Sequence, residues 1–307
     1  MTTGDSGIKQ VRRQKQNIWL IVISLIAVLG VVAFIVSTVN REEDVWKLTQ
    51  YPDDSGNQAM FYALTNKGTG NLILIDGGWG NNAERVSHVI DENHGHVTAW
   101  FLTHYHKDHC EAFNTLWEKY KNKIDVVYVT PLVWEEFEAT AKDWDTPETF
   151  STFLEQTQGS EKIKALNRED QFEVAGLKVS VFNAYDDVVR KYSDIANNCS
   201  LVFKISAAKQ SVLFLGDAYN NALGKDILEQ FGAEALQADY VQAAHHGNNT
   251  QSHEFYLAVS PSVIFLDGPE WLMTGENYDA KDLLAWCAEQ GITTYDYRQA
   301  PTTLILE

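Results

Sequence analysis

The sequence predicts an α/β fold of two mixed β-sheets packed face to face, with helices outside and one membrane-spanning helix in front. Three observations predict it. Short apolar runs of strand length recur in two similar halves with helical segments between them. Four of those runs end on clustered polar residues, as a site at one rim of a sandwich requires. One long uncharged stretch precedes them all. With 307 residues, 45 % hydrophobic and 12 % aromatic, the chain has the material for a sizeable core and not the composition of a disordered chain.

The uncharged stretch comes first. Residues 18–36 are apolar apart from Ser24 and Gly30. At the rise of an α-helix the run is about 28 Å long, close to the hydrocarbon thickness of a bilayer. Lys9, Arg12, Arg13 and Lys15 precede it, and Arg41-Glu42-Glu43-Asp44 follows it. Basic residues are retained on the cytoplasmic side, so residues 1–17 read as a cytoplasmic tail and 18–39 as an uncleaved signal anchor. Residues 45–307 then form an extracytoplasmic domain. A cleaved signal peptide would have a shorter apolar region and an A-x-A-like exit, whereas this run leaves through Ser37-Thr38-Val39-Asn40.

Within the domain, residues 58–65 and 71–75 read as strands, the second closing on Asp76-Gly77-Gly78. Residues 82–93 have helical character, and the apolar run 97–103 delivers a histidine cluster at its carboxyl end. A helix at 111–120 and a strand at 124–129 follow. The acidic, aromatic stretch 134–158 reads as helix with a break near Pro147, and 172–182 as a hairpin through Ala175-Gly176. The second half repeats the style. Strands are expected at 200–205 and 211–215, the latter ending on Gly216-Asp217, and a helix at 222–231. A strand at 240–244 ends on His245-His246-Gly247. Strands at 263–266, 295–297 and 303–306, with a helix at 281–289, complete the chain.

The chemistry concentrates in Thr103-His104-Tyr105-His106-Lys107-Asp108-His109. Histidines two apart in an extended or tightly turned loop can point the same way and chelate one cation. Asp108 and His109 follow on the turn and can face a second. Imidazole and carboxylate together suit Zn²⁺ best, with Mn²⁺ or Fe as alternatives. Three histidines and an aspartate within six residues, straight after a buried strand, are not an accidental polar loop. The cysteines Cys110, Cys199 and Cys287 show no C-x-x-C spacing, so no zinc ribbon is indicated. One disulfide is open to them outside the cell, and the sequence does not choose the pair.

On these residues the chain resembles the metallo-β-lactamase superfamily, whose signature is H-x-H-x-D-H. Its other landmarks occur in order over most of residues 45–307: Asp76-Gly77-Gly78, Gly216-Asp217 and His246-Gly247. The resemblance implies a four-layer αβ/βα sandwich with two metals per chain. His104 and His106 would hold the first metal, Asp108, His109 and His246 the second, and Asp217 would bridge them. Asp76 would orient a ligand histidine by accepting its free ring N–H. His245 would support a ligand, contact substrate, or sit as a satisfied structural histidine. The implied catalytic residues are Asp108, Asp217 and His245. Trp79 would form an aromatic wall or simply pack. His88, His94, His96 and His253 fall outside the pattern and read as solvent-facing.

Asn197-Asn198-Cys199-Ser200-Leu201-Val202 and His245-His246-Gly247 look most like the hydrolase domains of competence proteins, and the phosphorylcholine esterases are similar. The chain departs from that branch in three places. Glu111-Ala112, preceded by Cys110, replaces the usual small pair. Asn197 or Asn198 stands near the family's middle histidine, a third ligand of the first metal. Asn277-Tyr278-Asp279-Ala280 stands where the competence group carries a histidine. The competence function is therefore not carried over.

Two cations sharing a water lower its pKa toward neutrality, so a bridging hydroxide is the expected nucleophile. The outward orientation and the branch resemblance point to a small or surface-tethered phosphodiester. An amide or lactone hydrolase, or a non-catalytic surface module that kept the fold, are the alternatives. A net charge of −18 repels long nucleic acids, which would lose the counterion-release contribution of basic grooves.

Overall fold

The computed structural model describes residues 24–31 and 45–307. Residues 24–31 are helical. The rest of the expected anchor, the basic tail 1–17 and the charged exit lie outside the described residues. Among the described residues no helix is long and apolar enough to cross a membrane.

Residues 45–307 form a unit of their own, built on two seven-stranded sheets. The first sheet takes β1 (Trp46–Gln50), β2 (Phe61–Asn66), β3 (Asn71–Asp76), β4 (Ala99–Leu102), β5 (Val127–Val129) and β6 (Ile163–Ala165). The second takes β7 (Gln171–Val174), β8 (Leu177–Asn183), β9 (Val202–Ser206), β10 (Ser211–Phe214), β11 (Tyr240–Gln242), β12 (Val263–Phe265) and β13 (Thr293–Tyr295). The last strand, β14 (Thr302–Leu306), returns to the first sheet and pairs with β1. Each sheet is antiparallel in one half and parallel in the other. β3 to β6 run parallel, as do β10 to β13.

Strand alternation explains the layering. On β3, Leu72 and Leu74 join a core with Val86, Ile90, Phe113 and Leu116 from the helices Ala83–Glu92 and Lys107–Tyr120. Ile73 and Ile75 join a second core with Phe203 and Phe214 of the other sheet. Successive side chains point to opposite faces, so a strand apolar on both is covered on both. Between the sheets, Phe101 on β4 stacks on Phe203 at 4.7 Å, and Tyr62 on β2 meets Phe214 edge-on at 5.4 Å. Each ring buried there contributes roughly 1.5–3 kcal/mol.

The elements depart from the sequence expectation in a few places. The helix read from residue 111 begins at Lys107, so Asp108 and His109 occupy its first turn and not the loop before it. The stretch 134–158 is two helices, Trp134–Thr140 and Pro147–Thr157, with Pro147 at the second helix's start, where its missing N–H costs nothing. The strand expected to reach residue 244 stops at Gln242, and residues 244–247 turn. The sequence pattern does not mark β1, β6 or the short helices Ile195–Asn198, His253–Val259 and Glu270–Thr274.

Candidate metal centre

Parallel pairing brings the carboxyl ends of β3 and β4 to one rim. β3 closes on Asp76, which is fully buried and held in the left-handed region at φ 52°. Its Oδ1 accepts from the Thr103 backbone N–H at 2.7 Å, and its Oδ2 from the Thr103 hydroxyl at 2.6 Å. Asp76 Oδ2 also lies 2.7 Å from His109 Nδ1. This one carboxylate therefore fixes both the chain before His104 and the ring of His109. His106 stands at the N-cap position of the helix Lys107–Tyr120. Asp108 in its first turn lies where the helix dipole favours negative charge.

From the second sheet, β10 leads through Gly216 into Asp217. Gly216 has φ +52°, and a Cβ there would lie 2.9 Å from Ser200 Cβ and 3.0 Å from Thr103 Cβ. Only glycine accepts both constraints. β11 leads into His245 and His246, both left-handed at φ 52° and 59°. Gln242 Oε1 accepts from the backbone N–H groups of Leu215 and Gly216, each at 2.9 Å, and ties the two rim turns together. Such uncommon backbone states persist where surrounding structure enforces them.

The structure brings all six expected ligands together. His104, His106 and Asp217 form one group and Asp108, His109 and His246 another, each with its candidate donor atoms within 4.8 Å of one another. Asp217 reaches both groups. Its Oδ2 is 3.7 Å from His104 Nε2 and 3.6 Å from His246 Nε2, and its Oδ1 is 3.3 Å from His109 Nε2. Asp108 Oδ2 lies 3.3 Å from His246 Nε2.

The ring nitrogens turned away from the centre are occupied. His109 Nδ1 is on Asp76, His246 Nδ1 is 3.1 Å from the Asp267 carbonyl, and His106 Nε2 is 2.8 Å from Asp145 Oδ1. That leaves Nε2 of His109 and His246 and Nδ1 of His106 for the centre. His104 Nε2 and Asp217 Oδ1 are buried without a hydrogen-bond partner among the described residues. An unsatisfied buried polar atom costs about 1–3 kcal/mol. Divalent cations held by these groups satisfy both atoms, so the donor set fits the two metals that the sequence implies.

The buried groups shift one another's titration strongly. Burial, with the neighbouring His109, holds His104 well below the usual imidazole range and so favours its lone-pair form. Burial pushes Asp217 upward, but His109 and His246 outweigh it and hold the carboxyl well below its ordinary range. Burial likewise opposes the charged form of His109, and Asp217 and Asp76 outweigh it, raising the ring well above the ordinary value.

The centre opens into a cavity of about 390 Å³, within the size range of small-molecule sites. Trp79 lines it, donates Nε1–H to the Gln58 carbonyl at 2.6 Å, and carries the Lys107 ammonium 5.1 Å from its ring centroid. His245 also lines it, with Nδ1 2.7 Å from the Asn248 carbonyl and its ring stacked on Tyr219 at 5.1 Å. Of the two candidate asparagines, Asn197 faces the cavity. Asn198 is used elsewhere, with Nδ2 donating to the Ser193 and Asp194 carbonyls and Oδ1 accepting from the Asn220 backbone N–H. Sequence reasoning missed Asp145, Asp194, Tyr219 and Asp267, none of which sits in a local motif. His88, His94 and His253 are exposed and His96 is partly so. All three cysteines are buried and free.

A family model described as a beta-lactamase superfamily domain matches residues 71–241. Among solved structures, the metallo-beta-lactamase fold protein YhfI from Bacillus subtilis is similar over 85 % of this chain and 100 % of its own, at TM-score 0.53 and 12 % identity. CmlA, a diiron beta-hydroxylase from Streptomyces venezuelae, is similar over 85 % of this chain and 54 % of its own, at TM-score 0.54 and 12 % identity. The chain thus spans about half the length of that hydroxylase. At these identities the likeness is one of fold. No curated protein sequence matches the chain.

Proposed function

Because the chain belongs to the beta-lactamase superfamily, we propose that it is a binuclear metal-dependent hydrolase acting on small or surface-tethered phosphodiesters. The observation that carries the proposal is the pair of three-residue donor groups joined by Asp217. His104, His106 and Asp217 would hold one cation, and Asp108, His109 and His246, with Asp217 shared, the other. Zn²⁺ suits the imidazole-rich donors. When bound, two such cations supply the Lewis acidity that activates water and offsets charge on a phosphoryl group.

The chain's own residues do the rest. Asp217 sets the spacing of the two groups, and Asp76 and Asp145 keep His109 and His106 turned inward. His245, with Nδ1–H donating to the Asn248 carbonyl, has Nε2 free to accept or return a proton. Lys107 places a positive charge on the cavity wall for an outer phosphate oxygen. The absence of a third histidine beside His104 and His106 leaves room there for a second non-bridging oxygen, which a phosphodiester has and a β-lactam carbonyl lacks. The segments around Asn197 and His245, similar to phosphoesterase-like branches, favour the same substrate class, and the charge of −18 disfavours long nucleic acids.

The apolar run 18–36 and its flanking charges support a single-pass anchor with the catalytic unit outside the cytoplasm. A chromogenic phosphodiester and a chromogenic cephalosporin, assayed with the metal-loaded full chain, test the substrate. The phosphodiester is expected to be the better one. A kcat/KM for a cephalosporin or lactone about a hundredfold higher, or roughly 2.7 kcal/mol of transition-state preference, would contradict it.

A further inference from the structure

Trp144 is the most exposed of the described tryptophans, at 68 %. Among the described residues its ring meets no other aromatic ring and its Nε1–H donates no hydrogen bond. Trp271, the next most exposed at 43 %, donates to the Gly56 carbonyl at 2.8 Å, and Trp286 stacks on His253 at 4.3 Å. A single apolar side chain on a surface needs no special explanation. Trp144 differs in its place, because it lines the cavity above the metal centre together with Trp79. Its loop is also fastened there. The next residue, Asp145, is buried, with Oδ1 2.8 Å from His106 Nε2 and Oδ2 accepting from the Lys142 backbone N–H at 2.6 Å. The Asp145 backbone N–H returns to the Lys142 carbonyl at 3.0 Å, and Thr146 stands at the N-cap position of the helix Pro147–Thr157. An indole open to solvent is thus carried on a turn tied to a ligand histidine.

An indole face is a large, apolar, polarizable surface that takes either a flat ring or a cation. Here a cation is disfavoured. The Lys107 ammonium already lies 5.1 Å from the Trp79 ring centroid, on the same cavity wall, and the centre beneath is a site for divalent cations. An uncharged ring meets no such repulsion. We propose that Trp144 is a specificity-determining binding residue, stacking on a flat aromatic ring in one ester group of the substrate while the phosphoryl group sits at the centre. The ring is a nucleobase or a simple aryl group. This inference rests on the phosphodiester reading above and names the substrate class within it. A cavity of about 390 Å³ suits a small diester of this kind. Such a diester does without the counterion release on which long nucleic acids depend.

The test uses the metal-loaded full chain and two matched pairs of diesters, with hydrolysis followed by phosphorus NMR. One pair is the methyl ester of adenosine 5′-monophosphate against the methyl ester of ribose 5-phosphate. The other is methyl benzyl phosphate against methyl cyclohexylmethyl phosphate. Within each pair the phosphoryl group is the same and the flat ring differs. The readout is the ratio of kcat/KM values, ring-bearing over ringless. The wild type is expected to show a ratio of about ten or more in at least one pair, and that pair tells a nucleobase from a simple aryl group. Trp144→Ala should lower that ratio about tenfold, with the loss falling on KM. Trp144→Leu, apolar but not flat, guards against a loop that only needs a large side chain and should lower it similarly. Trp144→Phe should keep most of it. A wild-type ratio near one in both pairs, or a ratio the same in Trp144→Leu and wild type, would overturn this inference alone. A wild-type chain that hydrolyses none of the four diesters would overturn the phosphodiester reading, and this inference with it.

Discussion

Gly216 concentrates the demands of the site on one residue. Its left-handed backbone turns the chain from β10 into Asp217, and the space a side chain needs is filled by Ser200 and Thr103. Thr103 is in turn the residue that holds Asp76. Gly216→Ala should therefore lower stability by about 1–3 kcal/mol through overpacking and also weaken metal retention. Urea unfolding with parallel metal analysis checks this, and an unchanged midpoint would mean that the turn relaxes freely. At this scale the sequence was legible wherever residues crowd into a short segment. His104, His106, Asp108 and His109 announce themselves by spacing, and Asp217 and His246 by the glycines beside them. Asp145, Asp194 and Tyr219 do not. Asp145 reaches His106, and Asp194 and Tyr219 the cavity, from separate loops, and their residue types belong to no ligand spacing.

Among the elements, the loops on either side of the hairpin β7–β8 are clamped by one ion pair. Arg168 Nε donates to Asp186 Oδ2 at 2.7 Å, while Asp186 Oδ1 accepts from the backbone N–H groups of Val188 and Val189 at 2.9 Å each. Burial pushes Asp186 upward, but Arg168 and these hydrogen bonds outweigh it and hold its carboxyl below the ordinary range. A depressed carboxylate contributes stability above its unfolded value, near 3.9, and loses it as pH falls through the lower folded value. Asp186→Asn should be less stable than wild type at pH 7 by on the order of 1 kcal/mol, discounted for the carboxylate's partial exposure. The gap should close below about pH 4. Urea midpoints at pH 7 and pH 3 check it, and a gap independent of pH would contradict the assignment. The expected strands and helices mostly formed because their apolar periodicity is strong. The helix starting at Lys107 was read late because the histidines and charges of its first turn look like loop. β6 escaped because it is only three residues long and partly or largely exposed.

At the level of the whole chain, the proposed arrangement places a strongly acidic catalytic unit outside the membrane and a short basic tail within. Protease added to intact cells should digest residues 45–307 and spare the amino-terminal tail, as followed by tags at the two ends. Protection of the catalytic unit until lysis would reverse the orientation. The sandwich itself was readable because both sheets are built from runs apolar on both faces, and such strands require cover on both sides. The strand order was not readable. Nothing local in the segment 302–306 says that it returns to the first sheet beside β1, since that pairing is set by contacts across the whole length of the chain.

The central claim is that the rim holds two divalent cations bridged by Asp217, and metal content tests it most directly. Full chain purified without chelator, or stripped and reconstituted, should contain about two divalent ions per chain by elemental analysis. Asp217→Ala should bind fewer and lose turnover while keeping its circular dichroism. A wild-type chain that neither carries nor takes up metal, or an Asp217→Ala variant with full metal content and full activity, would contradict the account.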